Sequence, residues 1–153
     1  MKGKNSKINY TLLIAFLSIF LFIFWLLMRS AEIVAVHEVG NSSDVLVINF
    51  PFTDKGKINW WLKNKEKLKI KYSIPKKDSD GHFSIVFWDF SGGYKEEGKY
   101  DRLCFDDMKN QKNCIDKNRV FSVETERNND ILFTLHDGVY RMKKNGEIVN
   151  FKY

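Results

Sequence analysis

The stretch INWWLKNKEKLKIKY, from Ile58 to Tyr72, sets two adjacent tryptophans among lysines. Thr53 or Asp54 can cap a helix here, and Pro75 can stop it, so we expect a helix that runs to about Leu68. The alternation of lysine with apolar residues after Lys67 leaves a strand as the alternative for that end. The apolar residues that share one face of the helix are Ile58, Trp61, Leu62, Leu68 and Tyr72.

Strand patterns flank this helix on both sides. Before it, EIVAVHEV and DVLVINF are separated by a turn at 40–42 and predict a hairpin. After Asp78, short apolar runs alternate with turn signals such as Asp137-Gly138 and predict successive strands. Those runs are HFSIVFWDF, RLCFDD, Arg119–Thr125, Ile131–Leu135, Val139–Met142 and Glu147–Phe151. The predicted fold class is α+β, a small antiparallel-sheet domain with one long helix packed on a face.

An uncharged apolar run precedes this domain, from Tyr10 to Met28. A helix needs about 20 such residues to cross the hydrocarbon core of a bilayer, so the run predicts an N-terminal single transmembrane helix. A cleavable signal peptide is the alternative, but its apolar part is normally about 7 to 15 residues long and ends in a small-x-small site. Ile33 and Ala35 form only a poor pair of that kind, so we expect an uncleaved anchor.

The charges on the two sides of the run predict its orientation. Three lysines precede it and one arginine follows it: Lys2, Lys4, Lys7 and Arg29. The positive-inside rule then places the N-terminus in the cytoplasm. We therefore expect a cytoplasmic segment 1–9, a transmembrane helix 10–28 and a periplasmic α+β domain 30–153, anchored in the bacterial inner membrane.

The net charge of +6 comes mostly from those four residues, since 21 basic and 19 acidic side chains remain without them. With no recognisable nucleic-acid module, an outward-facing domain is not expected to bind nucleic acid. The remaining charge is segregated along the chain. Lys55–Lys77 holds nine lysines against Glu66, and Asp78–Asp107 holds eight acidic residues against three basic ones. Separate basic and acidic surfaces can steer a charged partner.

Cys104 and Cys114 are the only cysteines, and both follow the predicted anchor. A pair in an oxidising compartment is most simply a disulfide, so we expect one bond between them. A metal site is the alternative, and it would need histidines nearby. The three histidines are instead scattered singly, at His37, His82 and His136.

No metal, cofactor or catalytic site is expected from the sequence. The segment DSDGH at 78–82 begins like a calcium loop, but its glycine arrives too early, so a turn is expected. The chain has no G-x-S-x-G, no H-E-x-x-H and no phosphate-binding glycine loop. We therefore expect a protein that is not an enzyme, and no small-molecule substrate is identified.

Four residues of the helix are candidate contacts for a partner or a membrane: Trp60, Lys63, Lys67 and Lys71. If the helix packs through its apolar face, its lysines form a solvated face and Trp60 alone lies beside the packed residues. Docking on an anionic membrane surface is an alternative, because lysines with a tryptophan near an anchored chain favour it. A helix that binds a protein partner is the third interpretation.

Several segments together resemble the enterobacterial membrane proteins of domain-of-unknown-function family 943. They are the apolar run followed by EIVAVHEVGNSSDVLVINFPFTDKGKINWWLKNK, DSDGHFSIVFWDF, YKEEGKYDRLCFDDM, NCIDKNRVF and GVYRMKKNGEI. The resemblance covers essentially the whole chain. It implies an enterobacterial single-pass inner-membrane protein, and it implies no activity and no catalytic residues.

Small, single-pass, lineage-restricted families of this kind resemble those encoded beside secreted antibacterial effectors. By this analogy, the leading hypothesis is an immunity protein whose periplasmic domain binds an effector. An accessory or scaffold protein of the cell envelope is the alternative. An enzyme that acts on envelope polymers would need a site that the sequence does not indicate.

Overall fold

The structure is a computed structural model that describes residues 3–126 and 128–151, and within the N-terminal helix it describes the side chains from Tyr10 to Trp25. The chain forms two compact units, Met1–Ser30 and Ala31–Tyr153. In chain order the elements are α1 (Gly3–Met28), β1 (Glu32–Val39), β2 (Ser42–Ile48), α2 (Asp54–Tyr72), β3 (Ser84–Asp89), β4 (Lys95–Glu96), β5 (Arg102–Cys104), β6 (Lys112–Asp116), β7 (Arg119–Thr125), β8 (Ile131–Thr134), β9 (Val139–Met142) and β10 (Ile148–Phe151).

α1 contains the apolar run that predicted a transmembrane helix. Large apolar side chains along it are exposed, from Tyr10 to Trp25. Across the part of the chain that the structure describes, no helix is long and apolar enough to cross a membrane. On this finding, the prediction of an N-terminal transmembrane helix at 10–28 is wrong. The predicted cytoplasmic segment 1–9 lies outside the described side chains.

Seven strands of the second unit form one sheet, in the order β1-β2-β3-β7-β8-β9-β10. Its neighbouring strands are antiparallel, except that β2 and β3 pair in parallel. The predicted purely antiparallel sheet is therefore corrected to a mixed one. The cause is α2, which connects β2 to β3, since parallel neighbours need a crossover of this length. The predicted hairpin of β1 and β2 is present.

α2 begins and ends through local contacts of its own backbone. The hydroxyl of Thr53 accepts a hydrogen bond from the N–H of Gly56, which caps the first turn. The helix continues to Tyr72, one turn beyond the expected end, and the strand alternative for that turn is wrong. It ends at Ser73, which adopts a left-handed conformation with φ 59° and donates its N–H to the carbonyl of Lys69.

Two hydrophobic clusters cover the two faces of the sheet. On one face α2 packs over the strands, and Phe87, Phe121 and Phe133 are fully buried there. On the other face, the second sheet, in the order β4-β6-β5, brings Ile115 against Leu46 of β2. Because successive side chains of a strand point to opposite faces, β2 contributes to both clusters. The unit therefore has three layers, with the large sheet in the middle.

Candidate partner-binding cleft

The first turn of α2 lies against the loop that precedes it. A Cβ atom on Gly56 would lie 2.8 Å from Oγ1 of Thr53 and 3.1 Å from Cβ of Pro51. Glycine lowers helix propensity, but here its missing side chain permits the close approach of the loop. The loop and the helix are thereby held together at the point where α2 starts across the sheet.

The two tryptophans of α2 pack in different places. Trp61 is only 3% exposed and belongs to the main core cluster with Leu68. Trp60 is half-buried, and its ring centroid lies 4.9 Å from that of Phe50 and 5.7 Å from that of Phe87, both edge-on. Trp60 is therefore anchored at the margin of the packed face. The ring would have to give up these aromatic contacts to enter a membrane.

A cleft of about 200 Å³ lies between α2 and the edge strand β1. Lys67 and Lys71 lie one helical turn apart, so their side chains leave the helix on the same side. Among the described strands, β1 is the last of the large sheet on this side, so the cleft opens at the margin of the domain. Its lining residues are Glu32, Ile33, Trp60, Asn64, Lys67, Leu68, Lys71 and Tyr72.

The cleft combines cationic groups with an aromatic wall. The ammonium group of Lys71 lies 4.9 Å from the ring centroid of Tyr72. The side-chain amide of Asn64 donates to the carbonyl of Trp60 over 2.7 Å, which holds that amide against its own helix. Ammonium groups beside aromatic rings suit a carboxylate carried next to an apolar group. The cleft is therefore chemically suited to an acidic segment of a protein partner.

Three of the four residues that the sequence singled out line this cleft: Trp60, Lys67 and Lys71. Lys63 is exposed on α2 but is not part of the lining. The helical spacing indicated the residues on α2, whereas the contribution of β1 was missed. Glu32 and Ile33 reach the cleft only because of how the sheet folds under the helix, which no local pattern reveals.

A second groove, of about 380 Å³, follows the opposite flank of α2. Lys65 and Lys69 line it and have the same one-turn spacing as Lys67 and Lys71. The two lysine pairs thus lie on one helix but line two different grooves. This arrangement supplies a matched comparison for any test of the cleft.

The acidic segment Asp78–Asp107 does not form a single acidic surface. Asp101 makes an ion pair with Lys117, and Asp107 is bonded to His37. These carboxylates are divided among separate local contacts in the described chain. The lysine-rich helix is therefore the stronger candidate for a charged docking surface.

A buried histidine cluster joins the two sheets, and no sequence pattern indicates it. His37 of β1 is 6% exposed, with Nδ1 2.8 Å from a carboxylate oxygen of Asp107 and Nε2 2.9 Å from the hydroxyl of Tyr94. Its ring stacks on Phe105 with centroids 3.8 Å apart. In the tautomer that carries its proton on Nδ1, the ring donates to Asp107 and accepts the hydroxyl proton of Tyr94 at Nε2. Burial, followed by the charge of Asp107, raises the pKa of Tyr94.

The predicted disulfide between Cys104 and Cys114 is confirmed. The two residues lie directly opposite each other in the β5–β6 pair, and Cys114 is fully buried. The neighbouring carboxylate of Asp116 pairs with Lys95 and Arg102. The hydrogen bond from Lys95 is the largest cause that lowers the pKa of Asp116.

The expected turn at DSDGH is formed by Asp78. Its carboxylate accepts the backbone N–H groups of Asp80 over 3.0 Å and of His82 over 2.8 Å. The bond from His82 is the largest cause that lowers the pKa of Asp78. Within residues 3–126 and 128–151, no group of three or more histidine, cysteine, aspartate or glutamate side chains is placed to hold a metal ion.

Comparison with known proteins identifies one family. A family model described as "Enterobacterial putative membrane protein (DUF943)" matches residues 2–152. No curated protein matches the chain, and no solved structure matches it.

Proposed function

The chain belongs to the DUF943 family of enterobacterial membrane proteins, and from this premise we propose that it is a binding protein of the bacterial envelope without catalytic activity. Its role is that of an immunity protein, which binds an antibacterial effector in the periplasm and blocks it. The observation that carries the proposal is the pairing of Lys67 and Lys71 beside Trp60 in the cleft against β1.

The proposed location rests on two features. The disulfide supports an oxidising compartment, which in an enterobacterium is the periplasm. The family description supports membrane association, and we assign the contact with lipid to the exposed apolar side chains of α1 between Tyr10 and Trp25. A protector held at the membrane meets an effector that arrives in the same compartment.

The proposed mechanism is occlusion, for which the protein needs a rigid surface and fast association. α2 provides rigidity, because Trp61 and Leu68 fix its inner face in the core. The lysines on its outer face attract an acidic surface, and opposite charges raise association rates above those of neutral partners. The half-buried ring of Trp60 then supplies apolar contact beside the charges, as aromatic residues do at the centre of many interfaces.

The experiment is a co-culture on a solid surface, in which a strain lacking this gene competes with its wild-type parent. The proposal expects the wild-type parent to kill the deletion strain. The deletion strain should survive beside a parent that retains this gene but lacks the neighbouring effector gene. Expression of the protein from a plasmid should restore survival. If the deletion strain competes normally but has a shape, division or permeability defect when it grows alone, the immunity role is wrong and an envelope scaffold takes its place.

A further inference from the structure

β1 is a long strand at the edge of the large sheet. It spans eight residues, from Glu32 to Val39, and in the described ranges 3–126 and 128–151 its backbone pairs with β2 alone. An edge strand presents a row of backbone N–H and C=O groups, and proteins often protect such an edge by keeping the strand short or by placing lysine or proline in it. The opposite edge strand, β10, has four residues. β1 contains neither lysine nor proline, so its edge is suited to pairing with a further strand.

The register of β1 identifies the backbone groups that a further strand would bond. The two-residue turn at 40–41 closes on the pair of Val39 and Ser42, and bonded and non-bonded pairs alternate along the strands from there. Val36 and Glu38 therefore belong to non-bonded pairs, and their N–H groups point away from β2. A partner strand would accept hydrogen bonds from these two groups.

The edge of β1 leads into the cleft against α2. The bulge of β1 lies between Ile33 and Ala35, and the register is regular from Ala35 to Val39. Beyond the bulge, the first two residues of β1 line the cleft together with Lys67 and Lys71. A strand that pairs with the regular part of β1 would therefore continue past the bulge into the cleft.

The charges at the two ends of this path differ. Near the turn, the carboxylate of Glu38 pairs with the ammonium group of Lys76 over 3.3 Å, so each charge has a partner. In the cleft, Lys67 and Lys71 carry two positive charges against the carboxylate of Glu32. Complementary charge therefore favours a strand whose acidic residues lie at the end that enters the cleft.

We propose that the partner adds a strand to the edge of β1, through main-chain hydrogen bonds to Val36 and Glu38. The acidic end of that strand enters the cleft beside Lys67 and Lys71. The inference rests on the proposed function and specifies the part of the effector that is bound, an extended segment with acidic residues at one end. In this mode of recognition, main-chain hydrogen bonds supply affinity and the neighbouring side-chain pockets supply specificity.

The test repeats the co-culture with a deletion strain that expresses Glu38→Pro. This change removes an N–H that points away from β2, so the hydrogen bonds within the sheet are kept, and an edge strand tolerates proline at such a position. A partner strand loses the main-chain hydrogen bond from this residue and meets the proline ring instead. Rescue should therefore fall at least about tenfold below rescue by the wild-type protein.

Asn150→Pro is the matched control, on the opposite edge strand. Lys143 donates its N–H to the carbonyl of Glu147, and alternation from this pair directs the N–H of Asn150 away from β9. The side chain of Asn150 is exposed, and this variant should restore survival fully. Both proline variants must first show wild-type circular dichroism and abundance. Equal rescue by the two variants, whether complete or lost, would overturn the proposal.

Hydrogen exchange of the wild-type chain provides a second measurement if Glu38→Pro fails to fold. The full chain in detergent micelles is compared with and without the purified product of the neighbouring effector gene. Exchange of the N–H groups of Val36 and Glu38 should slow at least about tenfold in the complex, and unchanged exchange would overturn the proposal.

The co-culture separates failure of this inference from failure of the proposed function. If the deletion strain survives beside its wild-type parent, the immunity role itself is wrong. If the parent kills the deletion strain and Glu38→Pro rescues it as fully as the wild-type protein does, the immunity role stands and the added strand is wrong.

Discussion

Nδ1 of His37 lies 2.8 Å from the carboxylate of Asp107, although the two residues are 70 positions apart in the chain. The contact joins the edge strand β1 to the segment that follows β5. The stacked ring of Phe105 and the hydroxyl of Tyr94 complete the surroundings of the imidazole. This cluster therefore connects the second sheet to the large sheet through directional bonds as well as apolar packing.

Replacement of His37 by alanine should lower the free energy of unfolding by about 2 to 4 kcal/mol, because it removes both hydrogen bonds and leaves a cavity beside Phe105. Urea denaturation followed by circular dichroism measures this change. The control is His136→Ala, whose side chain is 93% exposed and whose loss should change stability by less than about 0.5 kcal/mol. Equal stabilities of the two variants would show that the cluster does not hold the layers together.

The raised pKa of Tyr94 predicts a loss of stability in alkaline solution. Its pKa in the folded protein lies above the ordinary value of 10.0, first because of burial and then because of the charge of Asp107. Its stabilising contribution is therefore complete below the unfolded pKa and is lost as pH rises through the folded one. Unfolding free energies measured from about pH 8 to about pH 11 should fall more steeply for the wild type than for Tyr94→Phe. Parallel profiles would contradict this assignment.

The different burial of the two tryptophans predicts different effects of their removal. Trp61→Ala should lower the free energy of unfolding by about 3 to 5 kcal/mol, because the ring is 3% exposed within the main core. Trp60→Ala should have a smaller effect, since the half-buried ring loses only its contacts with Phe50 and Phe87. Thermal unfolding of both variants decides the order. Equal melting temperatures would mean that the helix packs through a different face.

The disulfide between Cys104 and Cys114 should form in growing cells. We expect thiol trapping with a mass tag to leave the full chain unmodified unless a reductant is added first. Replacement of both cysteines by serine should lower the free energy of unfolding by about 2 to 3 kcal/mol, because the bond closes a loop of about ten residues. Complete labelling of both thiols without reductant would remove the argument for an oxidising compartment.

Local sequence patterns predicted the elements whose signal is contained within a few residues. Alternation, turn residues and a helix cap act over short distances in the chain. They therefore predicted the hairpin of EIVAVHEV and DVLVINF and the helix after Thr53, and the structure contains both. β4 was missed because Lys95–Glu96 contains no apolar residue, and its pairing depends on β6. The apolar run in α1 has the composition of a membrane span, but no helix among the described residues is long and apolar enough to cross a membrane.

Features that depend on the whole fold could not be predicted from the sequence. The parallel pairing of β2 with β3 depends on where α2 returns the chain. Lys57 lies among solvated lysines in the sequence, and no local pattern indicates that only 8% of its surface is exposed. Trp60, Lys67 and Lys71 were found because they share a helix, whereas Glu32 on the opposite wall was not.

The central claim is that Lys67 and Lys71 form the docking surface of an immunity protein. The most direct measurement is survival of the deletion strain beside its wild-type parent when it expresses either of two charge-reversed variants. The variant Lys67→Glu/Lys71→Glu should restore survival at least about tenfold less well than the wild-type protein, because acidic partners are repelled. Lys65→Glu/Lys69→Glu carries the same change on the opposite flank of α2 and should restore survival fully. Both proteins must first show wild-type circular dichroism and abundance. Full rescue by the Lys67→Glu/Lys71→Glu variant would contradict the account.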